Sequence, residues 1–278
     1  MATPTPTFPA TSDAVAVAVA QFRPGADRGE NLRALRALAE TAVARGAGLV
    51  VFPEYSAFFE PVMGQAVVDA AEPLDGPFVA ALGELASELG VHIVAGMLEA
   101  TADTARFSNT VVALNPAGKL VAKYRKLHLY DAFGDRESDW VVAGAIEAPE
   151  TFEFAGLTVG LETCYDIRFP EVTRRLVDAG ADLVLVPSEW VRGPLKEHHW
   201  RTLVTARALE NTVYIAAADH APPVGVGNSM VVDPMGVELV TIGEATDVAV
   251  AWVSAERIRA VRALNPALAL RRFRVDAR

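Results

Sequence analysis

The sequence predicts an α/β fold in which two sheets, each covered by helices, pack together as a four-layer α-β-β-α sandwich. Short apolar runs alternate along the chain with longer segments whose apolar residues recur at helical spacing. Residues 45–54 (RGAGLVVFPE) and 179–188 (AGADLVLVPS) also resemble each other, since each combines a helix end, a glycine, an apolar strand and a proline. Any two helix-to-strand connections would look alike, so this similarity favours two equivalent halves without requiring them.

The first half of the chain alternates between strands and helices. Residues 14–20 (AVAVAVA) are typical of a buried strand, and residues 31–45 place Leu and Ala on one helical face before Gly46. The same reasoning predicts a strand at 49–52, a helix at 78–89, a strand at 91–94, and a hairpin of strands 110–114 and 120–124.

The second half continues the pattern without a Ser- or Gly-rich linker. It predicts strands at 152–154, 157–161, 183–186 and 213–217, helices at 171–178 and 196–210, then two more strands and a short helix at 256–264. We therefore expect a single domain over residues 13–266. An N-terminal tail (1–12) precedes it, and an arginine-rich C-terminal arm (267–278) lies on this domain or on a neighbouring subunit.

Composition excludes several classes of protein. With 278 residues, 51% of them apolar, the chain is long enough to bury a large core. A formal charge of −10 argues against binding to nucleic acid or to an anionic membrane, and no apolar run approaches the ~20 residues of a membrane helix. Residues 1–12 lack the features of a secretory signal. The single cysteine excludes an internal disulfide, and a cytoplasmic location is predicted.

Three polar residues stand near the ends of predicted strands, where ligand sites of α/β sheets gather. They are Glu54, Lys126 and Cys164. Each has an ordinary explanation by itself: a capping carboxylate, a solvated hairpin lysine and a buried thiol. Together they supply a nucleophile, a base to take its proton and a cation to stabilise an oxyanion.

The motifs around these residues carry a family resemblance. Pro53-Glu54 is followed by YRKLHL at 124–129, CYDIRFPE at 164–171, ARALEN at 206–211, and GNS with DPMG between 227 and 236. In this order they resemble the carbon–nitrogen hydrolase (nitrilase) superfamily, from residue 14 to about residue 272. The resemblance implies an α-β-β-α sandwich and a small-molecule amide substrate. It implies neither a metal nor an organic cofactor.

The resemblance also implies roles for individual residues. Glu54, Lys126 and Cys164 would form the catalytic triad, in which the thiolate attacks an amide carbon and a thioester is then hydrolysed. The oxyanion would lie between Lys126 and the backbone N–H of Tyr165. A second glutamate follows the lysine in this family, and Glu137 is the best match.

Asp135 and Asp139 lie close enough to Glu137 to be alternatives for that second carboxylate. Tyr165-Asp166 after the cysteine is similar to the ω-amidase and deaminated-glutathione-amidase branch, whereas nitrilases and N-carbamoyl amine hydrolases usually carry Trp there. Only ten residues separate Lys126 from Glu137, which is shorter than expected for those amidases. A nitrilase, an N-carbamoyl amine hydrolase and a catalytically inactive scaffold protein therefore remain alternatives.

Substrate-binding residues are predicted from their positions after strands. Tyr130, Trp190 and Arg192 are the candidates, with His128 as a further one. Arg168 would suit a substrate carboxylate, but within its motif it is predicted as a structural ion-pair partner of Glu171 or Asp166.

Two other kinds of chemistry were weighed. His128 is an alternative base for Cys164 in a Cys–His hydrolase, whereas His198 and His199 lack the spacing of a metal site. The family usually pairs subunits through its outer helices, so the resemblance implies a homodimer or a higher homo-oligomer, with the C-terminal arm available to cross to the partner.

Overall fold

Twelve strands form two six-stranded sheets in a computed structural model that describes residues 13–277. The first sheet has the spatial order β12-β1-β2-β3-β4-β5. Its strands are β1 (Val15–Gln21), β2 (Leu49–Val51), β3 (His92–Ala100), β4 (Phe107–Leu114), β5 (Leu120–Arg125) and β12 (Asp247–Val253). The second sheet has the order β11-β10-β9-β8-β7-β6. Its strands are β6 (Thr151–Phe154), β7 (Leu157–Leu161), β8 (Leu183–Pro187), β9 (Tyr214–Ala218), β10 (Met230–Val232) and β11 (Glu238–Thr241).

In the part of the chain that the structure describes, six α-helices accompany the sheets. They are α1 (Arg28–Ala44), α2 (Gln65–Asp69), α3 (Pro77–Leu89), α4 (Pro170–Asp178), α5 (Lys196–Asn211) and α6 (Ala255–Leu264). No described helix is long and apolar enough to cross a membrane.

Three buried layers of side chains hold the sandwich together. A central cluster draws from both sheets, with Val51 of β2 and Leu185 of β8 among its members. A second cluster lies between the first sheet and helices α1 and α3, and a third lies between the second sheet and helices α4 and α5. This arrangement confirms the predicted four-layer α-β-β-α fold.

Local sequence signals explain where several helices begin and end. The Asp27 side chain accepts a hydrogen bond from the N–H of Glu30, so α1 begins at Arg28, three residues before the predicted start. Pro77 occupies the first turn of α3, and Gly90 ends that helix in the left-handed conformation with φ of 67°.

The internal similarity corresponds to equivalent positions in the two sheets. β2 pairs in parallel with β1 and β3, and β8 pairs in parallel with β7 and β9. Each of the two is therefore the central one of three parallel strands. The residues that follow its carboxyl end lie where ligand sites of α/β sheets form.

The C-terminal region differs from the prediction in one respect. Three strands follow β9 instead of two, and the last, β12, returns to the first sheet and pairs antiparallel with β1. Residue spacing contains no signal for this long-range pairing.

The two predicted terminal segments have different outcomes. The N-terminal tail at 1–12 lies outside the described residues. In the C-terminal arm, Leu268 packs against the cluster beneath α4 and α5, and Arg271 forms an ion pair with Asp178 of α4. This part of the arm therefore lies on its own domain.

Candidate active site

The three predicted catalytic side chains converge from both sheets. Glu54 lies shortly after β2, Lys126 follows β5 and Cys164 begins a short 3₁₀-helix after β7. Their residues are 1%, 2% and 5% exposed, respectively. All three line one cavity with a volume of about 380 Å³.

Lys126 lies between two carboxylates. Its Nζ is 2.9 Å from Oε1 of Glu54 and 3.0 Å from Oε1 of Glu137. Asp139, one of the two alternatives to Glu137, instead pairs with Arg136 near the surface. Asp135 lines the cavity but forms no ion pair with any residue between 13 and 277. The second carboxylate at Lys126 is therefore Glu137.

Asn109 and Tyr55 connect these carboxylates, and sequence reasoning did not identify either residue. Nδ2 of Asn109 donates to Oε1 of Glu54 at 2.6 Å, and it lies 3.1 Å from Oε1 of Glu137. The Tyr55 hydroxyl donates to the same oxygen of Glu137 at 2.7 Å. The available signal was an amide beside the apolar run of strand β4, since buried polar groups need partners.

Glu137 is held as a carboxylate by its donors. Besides Tyr55, the backbone N–H of Tyr130 donates to its Oε2 at 2.6 Å. Burial alone would raise the pKa of Glu137, but the Lys126 ammonium and the Tyr130 N–H outweigh it and keep that pKa below the ordinary value.

The charge on Lys126 has a related origin. Burial would lower the pKa of this ammonium, but the carboxylates of Glu137 and Glu54 reverse the effect and raise the pKa well above its ordinary value. Lys126 is therefore positively charged at neutral pH.

Cys164 is a neutral thiol in the resting site. Its Sγ donates to the carbonyl oxygen of Glu189 at 3.4 Å. Burial, followed by the charge of Glu54, raises the pKa of this thiol well above its ordinary value, against the opposing effect of Lys126. Nucleophilic attack therefore requires a base. The residue also has φ of 44°, a left-handed conformation that costs a non-glycine residue about 1–3 kcal/mol and is typical of active sites.

Glu54 is the carboxylate available to act as that base. Burial raises its pKa above the ordinary value, and Lys126 opposes this shift. Its Oε2 accepts a hydrogen bond of 2.6 Å from the backbone N–H of Glu189. A carboxylate with a raised pKa accepts a proton more readily near neutral pH.

The predicted substrate-binding residues do not all lie in the cavity. Tyr130 and Trp190 line it, as does Tyr165, whose backbone N–H was predicted as an oxyanion donor. Arg192 is not among the lining residues, and its guanidinium forms ion pairs with Glu197 and Glu244. Lys196, which sequence reasoning did not single out, lines the cavity in its place.

His128 is engaged away from the thiol. Its Nδ1 lies 2.8 Å from Oδ1 of Asp166, and its ring stacks on Phe169 with centroids 3.7 Å apart. The Tyr124 hydroxyl donates to the other oxygen of Asp166 at 2.8 Å. His128 is not among the described residues that line the cavity with Cys164, so this geometry does not support a Cys–His pair.

The prediction that Arg168 forms an ion pair with Glu171 or Asp166 is wrong. Its guanidinium carbon lies 4.7 Å from the ring centroid of Trp190, and Nη2 is 3.4 Å from Nδ1 of His199. Asp166 is occupied by His128 and Tyr124, so no ion pair forms there.

Among residues 13–277, no group of three or more His, Cys, Asp or Glu side chains is arranged to hold a metal ion.

Comparisons with known proteins agree with this geometry. The model of the carbon–nitrogen hydrolase family matches residues 16–263. A deaminated glutathione amidase of Escherichia coli O157:H7 is 40% identical over 259 residues, which cover 92% of this chain and 97% of the relative.

Two solved structures extend the similarity to the fold. A Saccharomyces cerevisiae member of branch 10 of the nitrilase superfamily is 27% identical with a TM-score of 0.83, over 94% of this chain and 97% of the other. An amidase from Nesterenkonia sp. AN1 is 26% identical with a TM-score of 0.77, over 96% of this chain and 97% of the other. This structure is of a glutamate-to-glutamine mutant of that amidase, and it shows covalent addition of the acetamide moiety of fluoroacetamide at the active-site cysteine. Because the family model spans nearly the whole described chain and close relatives are named amidases, the chain belongs to the carbon–nitrogen hydrolase family and is an enzyme of the amidase type.

Proposed function

We propose that this enzyme hydrolyses a small carboxamide to a carboxylic acid and ammonia through a thioester on Cys164. The observation that carries the proposal is the contact of 2.9 Å between Lys126 and Glu54 in the cavity that also contains the thiol. A base and an oxyanion-stabilising cation beside a thiol are the groups that acyl transfer requires.

The first chemical step forms the bond between sulfur and carbon. Glu54 takes the proton of Cys164 as Sγ attacks the amide carbon, and the carbonyl oxygen becomes an oxyanion. The Lys126 ammonium and the backbone N–H of Tyr165 are assigned to that oxyanion. The raised pKa of Glu54 supports its role as the base, because a carboxylate with a higher pKa binds the proton of the thiol more strongly.

The second step breaks the bond between carbon and nitrogen. Glu54 returns its proton to the leaving nitrogen, ammonia departs and the thioester remains on Cys164. Glu54 then takes a proton from water, whose oxygen attacks the thioester carbon. Collapse of this second intermediate expels sulfur, which regains a proton, and releases the carboxylic acid.

Glu137 is proposed to act through Lys126. Its carboxylate lies 3.0 Å from Nζ and contributes to the raised pKa of the ammonium. A lysine that stays charged throughout the cycle stabilises the oxyanion without giving up its proton. Glu137 also fixes where Nζ lies, since Tyr55 and Tyr130 hold the carboxylate from the other side.

The proposed substrates are ω-amides of small acids with an unsubstituted amide nitrogen, which leaves as ammonia. The name of the Escherichia coli relative and its coverage of 97% of that protein support this choice over nitriles and carbamoyl amines. A cavity of about 380 Å³ suits a small molecule and not a protein chain.

A substrate panel tests the proposal directly. Ammonia release would be measured with ω-amides, simple aliphatic amides, nitriles and carbamoyl amines. Intact mass spectrometry of enzyme quenched during turnover would detect a covalent acyl adduct. We expect the highest kcat/KM with an ω-amide and an acyl adduct that peptide mapping assigns to Cys164. Turnover of none of the amides, or an adduct elsewhere, would contradict the proposal.

We also infer that the protein forms a homodimer or a higher homo-oligomer. Leu209 on α5 and Leu270 and Phe273 in the C-terminal arm are exposed apolar side chains that subunit association would cover. Light scattering coupled to size exclusion should give a mass of at least two chains. A monomer at micromolar concentration would contradict this inference.

A further inference from the structure

Lys196 places a second ammonium in the catalytic cavity. It is the first residue of α5, and only 5% of the residue is exposed. Its Nζ donates a hydrogen bond of 2.9 Å to the Tyr130 hydroxyl. The rings of Tyr130, Phe133 and Trp190 surround it, with centroids 4.8, 4.6 and 5.1 Å from Nζ.

The charge of Lys196 differs from that of the other cations along the cavity. Three cationic side chains are among the described lining residues, namely Lys126, Arg136 and Lys196. Lys126 is paired with two carboxylates, and Arg136 is 72% exposed and paired with Asp139. Lys196 has no carboxylate within ion-pair distance in the described chain, and the one hydrogen-bond partner of its ammonium there is a neutral phenol.

An ammonium in this position is incompletely compensated. Its three N–H bonds are donors, and Tyr130 takes one of them. Aromatic faces attract a cation, but more weakly than a carboxylate when both are shielded from water. Burial lowers the pKa of Lys196, and the charges of Glu189 and Asp135, which are not within ion-pair distance, oppose this shift without cancelling it. Binding of an anion beside Nζ would supply a close counter-charge.

The backbone of Lys196 is also held in a fixed position relative to Glu54 and Cys164. Trp190 follows Glu189, whose backbone contacts both Glu54 and Cys164, and the Trp190 indole N–H donates to the Lys196 carbonyl oxygen at 2.9 Å. The segment that holds the base and the nucleophile therefore also holds the backbone of Lys196. A rigid substrate-recognition group needs this kind of support.

We propose that Lys196 is a specificity-determining residue that binds a carboxylate at the end of the substrate remote from the scissile amide. This inference rests on the proposed amidase function and goes further, because it names the anionic group of the substrate and the residue that binds it. Lys126 is assigned to the oxyanion, and Lys196 to a charge that the substrate carries before reaction. The two lysines thus serve different steps.

A pair of matched substrates tests the assignment. Succinamate and butanamide have the same amide group and the same two methylene groups. They differ at the far end, where succinamate carries a carboxylate and butanamide a methyl group. We expect wild-type kcat/KM to favour succinamate. In Lys196→Met, kcat/KM for succinamate should fall by about 10- to 100-fold, the range for a hydrogen bond to a charged group. The value for butanamide should change by less than about threefold, and Lys196→Arg should retain much of the preference.

Two further variants serve as comparisons. Lys119→Met makes the same chemical change at an exposed residue of the β4–β5 turn, and we expect no change in the preference. Arg192→Met examines the arginine that the sequence favoured. Loss of the preference in Arg192→Met but not in Lys196→Met would overturn the assignment.

Other results would also overturn it. Equal wild-type kcat/KM for succinamate and butanamide would overturn the assignment. This measurement needs no variant, so it applies even if Lys196→Met fails to fold. An equal loss for both substrates in Lys196→Met would indicate a structural role. Hydrolysis of neither amide would instead contradict the proposed function, so the two failures are distinguishable.

Discussion

The backbone N–H of Glu189 donates a hydrogen bond of 2.6 Å to Oε2 of Glu54. The two residues follow β8 and β2, which belong to different sheets. The carbonyl oxygen of Glu189 in turn accepts a hydrogen bond from Sγ of Cys164. One residue of backbone therefore sets the spacing between the proposed base and the nucleophile, across the interface of the sandwich.

Replacing the nucleophile should separate activity from stability. We expect Cys164→Ala and Cys164→Ser to lower kcat for amide hydrolysis by about 10⁴-fold or more, because no other group can form the thioester. Thermal unfolding should change little, since one sulfur is removed and the backbone conformation is retained. Ammonia release and differential scanning calorimetry measure the two effects. Appreciable activity in Cys164→Ala would contradict the triad.

The pH dependence of kcat/KM should report the proposed base. Burial raises the pKa of Glu54 above 4.5, and the base works only as a carboxylate. Activity should therefore fall as the pH falls through this raised pKa, at a higher pH than for an ordinary glutamate. Glu54→Gln should lose about 10²- to 10⁴-fold in kcat and should lack this acid limb. The same acid limb in the variant would assign it to another group.

The close packing behind Glu54 gives a test that alters no polar side chain. A Cβ on Gly96 of β3 would lie 2.6 Å from Cα of Glu54 and 2.6 Å from the backbone N of Tyr55. We expect Gly96→Ala to destabilise the protein by about 1–3 kcal/mol and to lower kcat, because the backbone that holds the base must shift.

Gly25→Ala is the matched control for Gly96→Ala. A Cβ at Gly25 meets no atom within 4 Å, so its effect should stay within about 0.5 kcal/mol. Denaturant unfolding and steady-state kinetics on both variants give the comparison. Unchanged kcat in Gly96→Ala would show that the position of Glu54 tolerates displacement.

Glu162 should make stability depend on pH. Burial raises the pKa of this glutamate to about 8, and the charge of Asp166 adds to the shift. The folded protein then keeps a proton that the unfolded chain releases between about pH 4.5 and 8, so the free energy of unfolding falls as pH rises through this window. The wild type retains this stabilising contribution fully only below about pH 4.5.

Glu162→Gln removes this titration and keeps an acceptor for the Thr173 hydroxyl, which donates to the wild-type carboxyl at 2.8 Å. The stability of the variant relative to wild type should increase from pH 5 to pH 8, by on the order of 1.4 kcal/mol per pH unit at most. Urea unfolding across this range measures the difference, with Glu84→Gln on the exposed face of α3 as the control. A difference that stays constant with pH would contradict a protonated Glu162.

Much of the fold could be predicted because its signals are local. The apolar run at 14–20 and the helical spacing at 78–89 specify their own secondary structure, and the bounds shift by only a residue or two. The return of β12 to pair with β1 could not be predicted, since it joins segments more than 200 residues apart. Such a pairing depends on which edge of a sheet is left open.

The amino-acid sequence by itself determined the chemical groups of the site. Glu54, Lys126 and Cys164 were predicted because each stands near the end of a predicted strand, because together they supply a base, a cation and a nucleophile, and because the motifs around them resemble those of the carbon–nitrogen hydrolase superfamily. Only the tertiary structure decided what surrounds them: the Asn109 amide between two carboxylates, and Lys196 in the cavity in place of Arg192. The physical reason is that the type of a side chain fixes its chemistry, whereas its pKa and its partners depend on burial and on which strand ends meet.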